Sequence, residues 1–248
     1  MKEANVSQIY RDGTYLAQHP DWHDEDGAWK ARQVNTMLQR QRVSPQSICD
    51  VGCGTGRVLD ELSKTLPAAT TLDGYDFGSE AIATGTARGN PRVRLHCADA
   101  LQVERSFDLI LMIDVFEHVP DYLGFLTAFN QKARQFVFHI PLDLSVSSVA
   151  RMSPLVAGRT SVGHLHYFSR ETALATLADA GYRVTAEAYT PGGLELPART
   201  MKRRAAKLPR RLGYAVNTHL TARFLGGFSL LVLAEGSGGG TARHASDS

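Results

Sequence analysis

The chain has 248 residues, 43% of them hydrophobic and 21% charged, and carries 27 Lys and Arg against 25 Asp and Glu. That length and apolar content are enough for a sizeable core, and they exclude a disordered chain, a collagen-like repeat and a coiled coil. The 3 cysteines exclude a disulfide scaffold, and their apolar surroundings predict reduced, buried thiols at Cys49, Cys53 and Cys97.

The net charge of +2 hides a local excess, since residues 199–211 hold seven Lys or Arg and no acid, leaving 20 bases against 25 acids, or −5, elsewhere. Bases confined to one segment without interleaved aromatics do not make a nucleic-acid surface, so no DNA partner is expected. The longest apolar run, residues 228–234, is far shorter than the ~20 residues that cross a bilayer, and MKEANVSQIY has no apolar signal core. A cytoplasmic protein with no membrane partner is therefore expected, and a homodimer is compatible with the chain.

Residues 1–45 precede the first strand and are rich in aromatic residues, with Tyr10, Tyr15, Trp22, His23 and Trp29 followed by Lys30. This spacing predicts a helical segment that either packs on the sheet through its rings or closes over the site as a lid, with Tyr10, Tyr15 and His23 as substrate contacts.

From residue 46 onward, β-rich runs alternate with helical periods, the pattern of a parallel sheet covered by helices. SICDVG reads as the first strand. Leu59, Leu62 and Leu66 mark a helix ended by Pro67, TLDGYDF is the second strand and GSEAIATGTA a helix. Strands follow at 92–97 and 107–114, the latter almost wholly apolar as a strand covered on both faces should be. Tyr122, Phe125, Leu126 and Phe129 fall at i, i+3, i+4 and i+7 of a packed helix. A fifth strand spans 135–142, and a polar connection runs to Tyr167. Ser169 caps a helix that turns Leu174, Leu177 and Ala178 inward and stops at Gly181. Strands at 182–189 and 228–235 complete the set, residues 191–227 form an insertion with Val216, Leu220 and Phe224 on one helical face, and 236–248 reads as a disordered tail.

The informative stretch is Asp50-Val51-Gly52-Cys53-Gly54-Thr55-Gly56, where a strand runs into a glycine loop that opens a helix. Glycines there let a ligand approach the backbone and leave amide N–H groups pointing at it. The third glycine follows the second by two residues, and Arg57 stands where a dinucleotide fingerprint places Gly or Ala, so the match to an NAD site is imperfect. Three acids, Asp76, Asp99 and Asp114, close three successive strands, where open α/β sheets bind ligands.

With GYDF, CADA and FDLILMIDVFEHVPD after that loop, the sequence resembles the class I S-adenosylmethionine-dependent methyltransferases, in their small-molecule branch, over residues 46–190 and 228–235. The resemblance implies a Rossmann-like seven-stranded, mostly parallel sheet in the order 3-2-1-4-5-7-6, in a domain spanning 46–235. It also implies S-adenosylmethionine as donor and S-adenosylhomocysteine as product. Gly52, Gly54 and Gly56 would underlie the methionine moiety, with Asp50 at its amino end. Asp76 would take the ribose hydroxyls, Phe77 would lie on the adenine, Asp99 would accept the adenine amino group beside Ala100, and Asp114 would stand at the sulfonium.

Methyl transfer needs alignment and, for a protonated acceptor, a base. His139, at the end of the fifth strand, is the first choice as base, His166 the runner-up, with His164 beside it and Asp143 orienting whichever imidazole works. His118 is a further substrate contact, although Glu117 and His118 suit a helix cap or loop support equally. A metal held by His139, Asp143, His164 and His166 is not expected, because His-x-His in a loop is weak and the paired acids of magnesium-dependent relatives are missing. The expected reaction is methylation of an oxygen or nitrogen on a small polar acceptor, sugar-like or from natural-product biosynthesis, with protein methylation open. The alternatives are an NAD-type oxidoreductase and a silent methyltransferase-like partner subunit. The basic segment reads as a solvated face, a partner surface or a clamp for an anionic acceptor through Arg203, Arg204 and Lys207.

Overall fold

The computed structural model describes residues 24–196 and 201–237, with side chains from 26 to 196 and from 207 to 237. Tyr10, Tyr15, Trp22, His23 and the tail beyond 237 lie outside the described residues, as do the side chains of Arg203 and Arg204.

Seven strands form one sheet in the order β3-β2-β1-β4-β5-β7-β6. They are β1 Ser47–Val51, β2 Thr71–Asp76, β3 Val93–Cys97, β4 Phe107–Ile113, β5 Ala133–Pro141, β6 Arg183–Thr190 and β7 Ser229–Glu235. All neighbours pair in parallel except β7, which is antiparallel to both β5 and β6. The helices are α1 Asp24–Arg40, α2 Arg57–Ser63, α3 Ser79–Thr86, α4 Tyr122–Phe129, α5 Val146–Arg151, α6 Ser153–Ala157, α7 Arg170–Asp179, α8 Gly192–Glu195, α9 Met201–Val216 and α10 Thr218–Leu225.

The alternation of the central strands sorts their side chains into two cores. Ile110, Met112, Phe136 and Phe138 pack with Phe116, Phe129 and Leu177 on one face, while Leu109, Leu111 and Val137 pack with Val34, Leu38 and Leu59 on the other. Strands covered on both sides need no polar face, which is why β4 reads as a continuous apolar run.

Several local expectations are corrected. Cys97, on the edge strand, is exposed and Cys53 half-buried, so only Cys49 is a core thiol. The Ser169 cap of α7 is present as a reciprocal capping box with Thr172, and Leu174 and Leu177 face the core as expected, but Ala173 and Thr176 complete the inward face and Ala178 is exposed. The connection after β5 is not a plain loop: it contains α5, α6 and a single π-helical turn at Gly158–Val162. In the insertion, Asn217 breaks the helix by capping α10 through Leu220 N, so Val216, Leu220 and Phe224 do not form one buried face and all three are exposed.

Candidate active site

The glycine loop takes its shape from backbone that only glycine adopts cheaply: Gly52, Gly54 and Gly56 have φ of +71°, +54° and +74°. Gly52 N and Cys53 N both donate to Tyr75 O, which fixes the loop to the end of β2. A Cβ on Gly52 would stand 3.0 Å from Val115, whereas one on Gly54 would meet nothing within 4 Å and project into open space. Asp76 holds the loop from the other side, its Oδ2 accepting from Gly54 N at 2.8 Å and its Oδ1 from Gly78 N at 2.7 Å.

Two cavities open at the carboxyl ends of the strands. One, of about 340 Å³, is lined by Asp76, Phe77, Asp99, Ala100 and the 115–120 loop. The other, of about 350 Å³, is lined by Asp50, Trp29, Lys30, His139, His164 and the insertion residues Gly192 and Leu196. Gly52, Asp76, Asp114 and His118 border both, so the two are compartments of a single cleft. Asp99 is also a helix cap, its Oδ1 accepting from Leu101 N at 2.9 Å.

Asp50 is 2% exposed and its Oδ1 has no hydrogen-bond partner. Burial, with the nearby charge of Asp76 adding to it, pushes its carboxyl up to about 8, a site that wants a cation. Burial also raises Asp76, against the hydrogen bonds from Gly78 and Gly54.

Asp114 sits at φ +56°, rare for a residue with a Cβ, and is held there by two partners. His139 Nδ1 is 2.5 Å from Oδ1 and Lys30 Nζ 2.8 Å from Oδ2. Burial works against the charged form, but His139 and Lys30 outweigh it and hold the carboxyl well below the usual range.

The comparisons with known proteins agree with this geometry. A family model described as a methyltransferase domain matches residues 22–187. The chain belongs to that family. The methyltransferase domain is 32% identical over 99 residues to malonyl-[acyl-carrier protein] O-methyltransferase of Bacillus cereus, covering 39% of this chain and 34% of that protein. It is 32% identical over 92 residues to trans-aconitate 2-methyltransferase of Deinococcus radiodurans, covering 37% and 34%. The matches thus span about a third of those two relatives. Among solved structures, magnesium protoporphyrin IX methyltransferase from Synechocystis with bound S-adenosylhomocysteine superposes with a TM-score of 0.63 at 13% identity, covering 94% of this chain and 100% of that one. That likeness shows the shared fold and strand order.

Family membership sets aside the NAD-dependent reading and makes S-adenosylmethionine the cofactor to test against the cleft. The methyltransferase domain fits it: Asp50, with its orphaned oxygen, and Gly54 line one compartment, and Asp76, Phe77 and Asp99 line the adjoining one.

Of the histidines expected as base, the methyltransferase domain brings two to the cleft wall and turns one away. His139 is 2% exposed, with Nδ1 on Asp114 and Nε2 2.9 Å from Thr190 Oγ1. Asp114 Oδ1 and Thr190 Oγ1 thus engage both ring nitrogens of His139, and Thr190 Oγ1 also lies within hydrogen-bond reach of the carbonyl of Ser229. His166 borders neither compartment; its Nε2 donates to Val119 O at 2.9 Å and its ring packs on Tyr122. His164 does line the cleft, with Nδ1 2.6 Å from Asp143 Oδ2. Asp143 and His164 therefore meet, while the four-residue metal set of His139, Asp143, His164 and His166 is not assembled.

His118 lines both compartments, with Nδ1 3.1 Å from Gly163 O. Sequence reasoning missed three participants. Thr190, Glu195 and the Lys30 partnership carry no motif, because each is brought in by packing of distant segments. Trp29 Nε1 donates to Glu195 Oε2 at 2.6 Å, its ring meets His139 edge-on at 5.9 Å, and Lys207 Nζ donates to the carbonyls of Leu194 and Leu196. These contacts fasten the insertion to α1 over the compartment lined by His139 and His164.

Proposed function

We propose that the protein transfers the methyl group of S-adenosylmethionine to an oxygen or nitrogen of a small polar acceptor, assisted by His164 and Asp143. The observation that carries this reading is the pair of compartments meeting at Gly52, Asp76, Asp114 and His118, one walled by the ribose- and adenine-type contacts, the other by imidazoles. Bound S-adenosylmethionine supplies an electrophilic methyl group on a good leaving group. The chain's own residues then have two tasks, alignment and proton handling.

Asp50 would receive the cofactor's ammonium, and Asp76 its ribose hydroxyls. Asp114, locked by Lys30 and His139, fixes the wall against which the acceptor is aligned. His164 donates its Nδ1 proton to Asp143, which leaves Nε2 as the ring nitrogen to take the acceptor's proton. His139 then supports Asp114 and takes no proton from the acceptor. The relatives named as O-methyltransferases favour oxygen as the methylated atom.

Calorimetry with S-adenosylhomocysteine, followed by transfer of labelled methyl to a panel of hydroxylated and carboxylated small molecules, tests the reading. Micromolar or tighter binding with transfer to a member of the panel supports it. Failure of the wild type to bind S-adenosylhomocysteine overturns it, and binding without turnover on any acceptor favours a silent partner subunit.

A further inference from the structure

Glu117 is fully buried, and neither carboxylate oxygen has a hydrogen-bond partner. An unmatched buried acid requires an explanation, since desolvation without compensation is among the costliest local arrangements in a fold.

The two imidazoles beside it are already oriented. The carbonyl of Gly163 and the carboxylate of Asp143 can only accept, so Nδ1 of His118 and Nδ1 of His164 both carry hydrogen, which directs a metal bond to Nε2. His118 Nε2 is 3.9 Å from Glu117 Oε1, and one ligand atom from each of Glu117, His118 and His164 falls within 4.8 Å of the others. A tetrahedral site with bonds near 2.1 Å needs its ligand atoms roughly 3.4 Å apart, a closure that small side-chain rotations supply. Backbone hydrogen bonds from Leu165 N and His166 N to Glu117 O pin the two contributing loops together, so the cluster does not depend on one flexible segment.

We propose that Glu117, His118 and His164 bind a divalent transition-metal ion on the acceptor side of the cleft. The inference rests on the reading of that compartment as the acceptor site. Two imidazoles and one carboxylate select a borderline ion such as Zn²⁺, Co²⁺ or Mn²⁺ over Mg²⁺ or Ca²⁺, which prefer oxygen sets. Asp143 serves as a positioning residue, fixing the tautomer and ring plane of His164 as outer carboxylates do for metal-bound histidines. His118 and His164 border the cleft, so the ion's open positions face the acceptor and favour one with oxygen donors. With the ion bound, His164 Nε2 is a ligand rather than a base, so the ion takes over activation of the acceptor by polarising it, and the cofactor's contacts are unchanged.

The test is titration of the purified, chelator-treated protein with Co²⁺, Zn²⁺ and Mn²⁺ alone, read by calorimetry and by the visible absorption of bound Co²⁺. One ion per chain is expected, with a Co²⁺ spectrum of low coordination number. Glu117→Gln and His164→Ala should each weaken binding at least 100-fold, and Asp143→Asn about 10- to 100-fold. S-adenosylhomocysteine affinity, unchanged in these variants, verifies that they fold; His164, nearer the surface, carries the result if Glu117→Gln does not. Absence of stoichiometric uptake by the wild type, or uptake undiminished in His164→Ala, overturns the site. Loss of S-adenosylhomocysteine binding in the wild type would instead overturn the methyltransferase reading, so the two failures are distinct.

Discussion

Lys30 Nζ and Asp114 Oδ2 meet at 2.8 Å, joining the helix before the first strand to the loop after the fourth. Both side chains are largely covered, so removing one partner leaves a poorly solvated charge. Lys30→Met should destabilise the fold by about 2 kcal/mol in urea unfolding at neutral pH. Because the folded pKa of Asp114 is lowered, the stabilisation is complete above about pH 4 and is lost as pH falls through the lowered value. The gap between wild type and variant should accordingly narrow in acid; a constant gap would show that the ion pair does not carry it.

Asp50 presents the opposite sign. Its folded carboxyl titrates at about 8, so between about pH 4 and pH 8 the folded chain holds a proton that the unfolded chain has released, and stability falls as pH rises. Asp50→Asn should be more stable than wild type by about 1 to 3 kcal/mol near pH 8 and little different near pH 5, while binding S-adenosylhomocysteine more weakly. Thermal melts across that range check the first part and calorimetry the second.

The same group predicts a proton signature of ligand binding. An incoming ammonium favours the ionised carboxylate, so at about pH 7 the wild type should release close to one proton per S-adenosylhomocysteine bound, and affinity should rise toward pH 8. Calorimetry in two buffers of different ionisation enthalpy measures the release, and Asp50→Asn should abolish it.

Asp76 carries both the loop and the expected ribose contact. Asp76→Ala should weaken S-adenosylhomocysteine by about 1.5 to 3 kcal/mol, the worth of charge-assisted hydrogen bonds. Equal affinity in the variant would place the ribose elsewhere.

Among the histidines, His164→Ala should lower kcat by roughly 10² to 10⁴ with S-adenosylhomocysteine affinity retained, and His166→Ala should stay near wild type. His139→Ala should show its main effect as lost stability, since Asp114 and Thr190 both lose a hydrogen-bond partner. A kcat loss confined to His139→Ala would return the acceptor's proton to that residue.

Glu195 ties the insertion to Trp29 over the cleft. Glu195→Ala and Lys207→Met should raise the acceptor's KM several-fold and leave cofactor affinity alone, which steady-state kinetics with each substrate varied separately will show.

The sequence by itself determined the sheet, the glycine loop and the acids that close its strands, because these depend on local signals: β4 must be apolar along its whole length if helices cover both faces, and Gly52, Gly54 and Gly56 must be glycine to hold positive φ. How each histidine is engaged was decided only in three dimensions. His139 looks like a base when read along the chain, yet Thr190, 51 residues later, and Asp114, 25 earlier, take both its nitrogens once β6, β7 and β4 are in register around β5. His164 and His166 are separated by one residue and receive opposite fates, one turned to the cleft beside Asp143 and the other to Val119. The same holds for Lys30, Glu117 and Glu195. A side chain's chemistry depends on the partners within hydrogen-bond reach, and long-range packing chooses those partners without leaving a pattern in the local sequence.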